Sequence, residues 1–506
     1  MGVPDHDATL TRSRPAAALE LALEASLDQE RLSRFLAEPD WARALTLWLG
    51  PGASRALAAD RDALLARLDR DIARIDRLLT GQVNAILHHP RLQRLEASWR
   101  GLLYLVEQAA RLEADNLRIR VLNVGWEELA RDLERAIEFD QSQLFRKVYS
   151  EEFGMPGGEP FGVLIGDYAV RHRPGPGHRV DDVAALRAIA QVAAAAFAPF
   201  VAAADPALFG LDSLRELALP LELGAVFQQL EYLPWRSLRE SEDARFVGLV
   251  LPRVLMRLPY ADDGARADGF RFREDSEASG HYLWGNAVYA FAAVLLRAFA
   301  EHGWPADIRG VRDDGSGGGL VEGLPLACFD TECPGLAPMG SLEVLLGDEQ
   351  ERELAELGFI TLCPCADGER VAFYSNPSLQ RPAAYDTPVA SANARLSAML
   401  QYMLCVSRFG HYLKIIGRDK IGAFTGSAEC ENYLQRWLLD YTTASDDLSP
   451  ELQSRYPLRE AQVQVREHPG KPGSYLCIAH LRPHFQLEQV ITAVRLVTEL
   501  TPTQPT

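Results

Sequence analysis

Phe246-Val-Gly-Leu-Val-Leu is a continuous apolar run of strand length, stopped by Pro252. A short unbroken apolar run with a breaker after it predicts a strand buried on both faces. Directly ahead of it, Arg236 to Arg245 carries three arginines, three acids and two serines. Charges cannot enter such a core unless they are paired. Arg236, Arg239, Glu240, Glu242, Asp243 and Arg245 are therefore expected at the strand's mouth, holding core or interface segments together by Arg–carboxylate pairs. The plainer reading of the run is a solvated loop.

Elsewhere the apolar positions recur at helical spacing. Residues 1–15 read as a tail. Pro15 opens a helix over Ala16–Leu36, with Leu19, Leu23 and Leu27 leading an apolar stripe. Leu64, Leu65, Leu68, Ile72, Ile75, Leu78 and Leu79 mark a second helix over Ala59–Leu79, continuing after a break into Val83–Leu87. A third spans Leu92–Leu112. Leu117–Val124 alternates as a half-buried strand does. A helix over Trp126–Ala136 and a short strand over Phe161–Ile165 follow. An alanine-rich helix over Val183–Ala204 needs close packing, within the chain or between subunits. This order argues an α/β layer arrangement, a mixed α/β fold, for the middle of the chain.

The pattern then gives a long helix over His281–Glu301, a proline-rich boundary at Asn376–Pro388, and helices over Ala390–Ile416 and Ala428–Tyr441. Ala461–Glu467 and Ser474–Leu481 alternate strictly around Pro469-Gly-Lys-Pro-Gly, which predicts a β-hairpin. Val490–Leu500 is a mixed apolar tail.

Composition narrows the function. The chain has 506 residues, 47% of them hydrophobic, and a formal charge of −18. An acidic balance argues against nucleic-acid binding, which needs a basic face. No apolar run is long enough for a spanning helix, and the N-terminus has neither a secretory h-region nor a myristoylation pattern. Seven cysteines fit a reducing compartment. A cytoplasmic protein with no direct membrane insertion is expected.

Candidate chemistry is thin. His88 and His89 are adjacent, so on a helix they diverge, and helix-end capping is expected rather than metal binding. Arg309–Gly319 is glycine-rich but lacks the Gly-Lys-Ser/Thr of a phosphate loop, so a surface loop is expected. Cys328, Cys333, Cys363 and Cys365 form C-x4-C…C-x-C, a poor chelate for one tetrahedral ion, and read as ordinary thiols. No hydrolase elbow, zincin or kinase signature appears. No cofactor and no catalysis are expected.

Several strings resemble one family in order along the chain. They include Gln82-Val-Asn-Ala-Ile-Leu-His-His-Pro, Leu95-Glu-Ala-Ser-Trp-Arg-Gly-Leu, Ile119-Arg-Val-Leu-Asn-Val and Glu138-Phe-Asp-Gln-Ser. Gly158-Glu-Pro-Phe-Gly-Val-Leu-Ile-Gly-Asp-Tyr, the Trp235–Pro259 stretch, Tyr282-Leu-Trp-Gly-Asn-Ala and Ser407-Arg-Phe-Gly-His-Tyr-Leu-Lys follow, and Leu481-Arg-Pro-His-Phe-Gln-Leu-Glu closes the series. The chain thus resembles the large contractile-sheath subunit of type VI secretion systems, the TssC/VipB family.

The resemblance implies a structural protein with a sheath-protein-like multi-layer fold. It would pair with a small sheath subunit (TssB/VipA-like), polymerise with copies of itself around a tube of Hcp, and join a baseplate. It implies an N-terminal arm over 1–58, an N-terminal and middle region over 59–375 and a C-terminal region over 376–506. By the same analogy the hairpin, with Val463, Val465, Tyr475, Cys477, Ala479 and Leu481, shares an inter-subunit sheet by strand addition. Leu19, Leu23 and Leu27 would lie on a helix recognised by the unfoldase ClpV. Trp41–Pro51 departs from the family's arm, which keeps open a non-polymerising adaptor; an enzyme is the remaining alternative.

Overall fold

The computed structural model describes residues 29–500, apart from 59, 156, 263, 265–268, 277–278, 313–314, 329–337, 367–369, 421–425, 444, 446–449, 468–474 and 485–493. Leu19, Leu23 and Leu27 lie outside the described residues. The chain divides into two units, Met1–Leu87 with Tyr260–Glu274, and His88–Pro259 with Asp275–Thr506.

The first unit is helical. Residues 29–37 form a helix, followed by α1 (Trp41–Leu49), α2 (Pro51–Ala58) and α3 (Arg61–Leu87). Asp40 caps α1, its side chain accepting the Ala42 N–H at 3.0 Å. Trp48 Nε1 donates to Asp71 at 3.0 Å, and its ring lies 5.3 Å from the Phe35 ring at a 45° tilt, tying α1 to α3 and to the preceding helix. The break expected near residue 80 is absent. Thr80 and Gly81 stay inside α3, since an interior glycine costs a helix only about 1 kcal/mol.

The second unit is built on a six-stranded sheet. Its strands are β1 (Leu164–Val170), β2 (Phe200–Ala204), β3 (Val247–Leu251), β6 (Leu320–Val321), β7 (Phe359–Pro364) and β8 (Val371–Phe373). The order across the sheet is β1-β2-β3-β7-β8-β6. The pairs from β1 to β7 are parallel, and the two at the β8 end are antiparallel. Two more strands, β4 (Val254–Arg257) and β5 (Leu283–Gly285), pair antiparallel.

Both faces of the sheet are covered. Phe200, Ala202, Val247, Leu249 and Leu251 enter one core with α6 (Asp182–Ala196) and Trp235. Val201, Ala203, Val250, Ile360 and Leu362 enter the other with α4 (Pro90–Arg111) and α8 (Val288–His302). The two-sided burial expected of the apolar run at β3 is what the structure has. The alanine-rich helix packs within its own chain, with Ala185, Ala190 and Ala193 buried.

Several boundaries differ from the sequence reading. The helix expected to reach Ala204 stops at Ala196, where Phe197 turns left-handed at φ 51°, and Phe200–Ala204 is a buried strand. Pro199 cannot continue the helix, and three alanines disguise a strand because alanine is a poor strand former. The helix expected from His281 begins at Val288, since Leu283–Gly285 is drawn into pairing with β4. The helix expected over Ala390–Ile416 is two, α9 (Pro388–Ser397) and α10 (Leu400–Lys420). Ser378 N donates to Ala398 O at 2.9 Å and Leu400 N to Asn376 O at 2.9 Å, so a crossing segment takes the bonds that would bridge the break.

Leu117–Val124 forms no strand, although α5 (Trp126–Arg135) follows as expected. The expected surface loop at Arg309–Gly319 has a buried end. Gly319 donates to Gly310 O at 2.6 Å and accepts from Phe373 N at 3.0 Å. A Cβ at Gly319 would stand 2.2 Å from Phe373 O, so the glycine permits this close approach. His89 is the N-cap of α4, its Nδ1 accepting the Arg91 N–H at 3.3 Å.

At the C-terminal end, β9 (Leu458–Glu467), β10 (Tyr475–Pro483) and β11 (Val494–Leu500) form a three-stranded antiparallel sheet. The hairpin is present as expected, and part of the tail supplies a third strand. The helix α11 (Ser427–Leu439) lies against β9.

Candidate assembly surfaces

The charge run enters the fold through α7 (Leu233–Arg239), directly ahead of β3. Arg239 is buried. Its Nε donates to Leu379 O at 3.1 Å and its Nη2 to Glu356 O at 3.2 Å. In return Arg381 N donates to Arg239 O at 2.7 Å. Burial, with Arg381 nearby, pulls Arg239 down to about 10, so it stays charged at neutral pH. Arg236 Nη1 reaches Phe227 O and Gln229 O, each at 2.9 Å. Arg245 donates to Glu242 O at 2.8 Å and lies 3.7 Å from the Glu242 carboxylate.

The run does tie segments together, but the arginines' main partners are backbone carbonyls rather than carboxylates. A guanidinium presents several donors at fixed angles, so chain ends and turns with spare carbonyls can satisfy it. The acids face differently. Glu240 is exposed and Glu242 is 91% exposed at its side chain. Asp243 is half-buried, and burial pushes its carboxyl up against the pull of Arg245.

In the C-terminal sheet Val463 faces Ala479 and Val465 faces Cys477 across β9 and β10, while Ala479 faces Leu496 and Cys477 faces Thr498 across β10 and β11. β10 is therefore interior, bonded on both sides. Val463, Val465, Cys477, Ala479 and Leu481 are buried in their own chain, and Tyr475 is half-buried.

The outer edge of β9 is occupied by α11. Gln435 Oε1 accepts the Val463 N–H at 2.9 Å, Glu431 Oε2 accepts the Val465 N–H at 2.9 Å, and Gln435 Nε2 donates to Ala461 O at 2.9 Å. The spacing explains the match. Four residues of helix rise about 6 Å, and two residues of strand about 6.8 Å, so an i, i+4 pair meets successive outward amides.

Residues 69–380 match the family model described as EvpB/VC_A0108, tail sheath N-terminal domain, and residues 389–500 match that of the EvpB/VC_A0108, tail sheath gpW/gp25-like domain. The chain belongs to the EvpB/VC_A0108 tail sheath family. A relative from Pseudomonas aeruginosa named "Type VI secretion system sheath protein TssC1" is 43% identical over 435 residues, covering 85% of this chain and 85% of that protein. The resemblance to the large type VI sheath subunit is borne out. A chain of the anti-feeding prophage baseplate superposes at a TM-score of 0.35 with 11% identity, over 74% of this chain and 82% of that one, a likeness too loose to carry an argument.

The sheath protein has exposed apolar faces that residue patterns alone did not set apart. On α4, Ala97, Gly101, Tyr104 and Leu105 are buried, while Leu95, Trp99, Leu103 and Val106 stand in solvent on the opposite side. On α3, Leu65, Ile72, Leu78 and Ile86 are exposed. Both helices have apolar residues on more than one face, and periodicity does not say which face the chain itself covers.

Ligand chemistry is sparse in the sheath protein. Among the described residues no group of His, Cys, Asp and Glu could hold a metal ion. Cys363 is buried, its thiol pushed up to about 12 by burial and by nearby Glu351. Cys333 lies outside the described residues, as do the placements of the Cys328 side chain. No helix of the described residues is long and apolar enough to cross a membrane.

Proposed function

We propose that this protein is the large subunit of a type VI secretion contractile sheath that pairs with a small sheath subunit, polymerises around the Hcp tube and docks on a baseplate in the cytoplasm. Its contraction would drive tube and effectors outward. The observation that carries the reading is the collinear family match over residues 69–380 and 389–500, together with a relative alike over 85% of both chains. The role is mechanical rather than enzymatic, and it needs no cofactor.

Three finer assignments belong to the same reading. The C-terminal sheet is shared with neighbours at the edge formed by β11, since α11 occupies the β9 edge and the side chains of β9 and β10 are spent on the chain's own core. Glu240 and Glu242 would be the members of the charge run that meet another subunit, a reading supported by their exposure beside the buried Arg239. The N-terminal region 1–58 would serve as an arm, with Leu19, Leu23 and Leu27 as the residues for the unfoldase ClpV, and the regions 59–375 and 376–506 would be the family's N-terminal and middle region and its C-terminal region.

Co-expression with the cognate small subunit, followed by negative-stain microscopy of the soluble fraction, tests the reading. Cogwheel-ended tubules are expected. Discrete soluble complexes without tubules would favour a non-polymerising adaptor, and a chain that never binds the small subunit would end the sheath role.

A further inference from the structure

Residues 117–124 keep the alternation of a strand without joining a sheet. Among the described residues, no backbone group of 117–123 hydrogen-bonds to another segment. An ordinary half-buried strand hides its apolar side, and here part of that side is exposed.

The arginines are exposed as well, and each is paired within the chain. Arg118 pairs with Glu159. Arg120 pairs with Glu152, lies 3.7 Å from Glu159, and sits 5.4 Å above the Phe161 ring. Glu152 is buried and also accepts the Glu159 N–H at 2.8 Å, so the acidic anchor is itself fixed. Ile119, Val121 and Leu122 are left 36%, 68% and 51% exposed. Two arginines, each paired with a carboxylate of their own chain, thus flank exposed apolar side chains and a row of unbonded backbone groups. That is the surface an added strand requires: amides and carbonyls for pairing, and side chains to cover.

We propose that 117–124 is the strand on which the small sheath subunit pairs, laying an extended segment along 117–123 and burying Ile119, Val121 and Leu122. The proposal rests on the reading that this protein binds that subunit. A second copy using the same segment would make an isologous contact, which closes a two-fold dimer and leaves nothing to propagate. A different polypeptide does not meet this objection.

The test uses the full chain, co-expressed with the cognate small subunit. Ile119→Asp and Val121→Asp change solvent-facing side chains, so both variants should melt with the wild type. Each should retain about tenfold less small subunit on purification. In the wild-type complex the amides of 117–123 should exchange with deuterium more slowly than in the free chain. Variants that capture the partner as the wild type does, or 117–123 amides that the partner does not slow, would overturn the proposal. Capture intact with tubules lost would give the segment to a second copy, overturning it as well. A wild-type chain that captures nothing would bring down the pairing reading itself, and this proposal with it.

Discussion

The Glu431 carboxylate accepts the backbone N–H of Val465 at 2.9 Å. With Gln435 on Val463, it fills the hydrogen-bonding positions that a further strand would take on β9. Glu431→Ala and Gln435→Ala each leave a buried-edge amide without its partner and should cost about 1–2 kcal/mol in urea unfolding. Glu431→Gln keeps an acceptor and should cost less. Both alanine variants should raise self-association in light scattering, because a bare edge is a template for pairing.

Charge reversals along the run should separate core from surface. Arg239→Glu places a carboxylate against the carbonyls of Leu379 and Glu356 and should cost about 3–5 kcal/mol or leave the chain insoluble. Glu242→Lys should change stability by no more than about 0.5 kcal/mol, since that side chain is solvated. Denaturant unfolding of the two variants side by side checks the contrast. Any loss of tubules in a stable Glu242→Lys chain then belongs to assembly.

Gly101 lets the Tyr289 ring lie against α4. A Cβ there would stand 2.3 Å from the ring, and the ring is fixed by its hydroxyl donating to Asp167 at 3.0 Å. Gly101→Val should therefore destabilise the second unit by about 1–3 kcal/mol through overpacking, despite valine's better backbone entropy. Thermal melting of the variant measures this, and Tyr289→Ala in the same background should restore part of the loss.

His411 is fully buried, and one ring nitrogen lies 3.0 Å from Ala196 O. Burial first, and Arg408 second, lower its pKa to about 3. An unfolded histidine titrates near 6.5, so between those values the unfolded chain takes up a proton that the folded chain refuses. Stability should fall as pH falls through that window, by roughly 5 kcal/mol in all. His411→Gln should flatten this part of the profile. The difference between wild-type and variant unfolding free energies from pH 7 to pH 4 reads out the histidine alone.

How much was legible in the sequence follows from where each cause sits. β3 was readable because its burial is written in contiguous residues, Phe246 to Leu251. The hairpin was readable because its alternation and its turn are local. β2 was not, since Phe-Val-Ala-Ala-Ala carries helix propensity and becomes a strand only between β1 and β3. The break before Leu400 was hidden because its cause, the backbone of Asn376 and Ser378, is some twenty residues away. The charge run's place directly ahead of β3 is a matter of sequence, but the choice of carbonyls over carboxylates depends on which turns arrive at Arg239. The caps on β9 were invisible for the same reason: Glu431 and Gln435 look like any solvated helix pair until a strand lies beside them.

The sheet has cores on both faces, and this bears on how load would pass through the molecule. Shifting β3 by one residue would drive Leu249 and Val250 through to opposite cores, so the strand cannot yield by sliding. Interiors packed at crystal-like density resist compression as well. A pull on one end of the slab would arrive at the other as displacement, with little of it spent as internal deformation. In a polymer that shortens, the compliant parts are then the joints and connecting segments, and the sheet serves as a stiff lever between them.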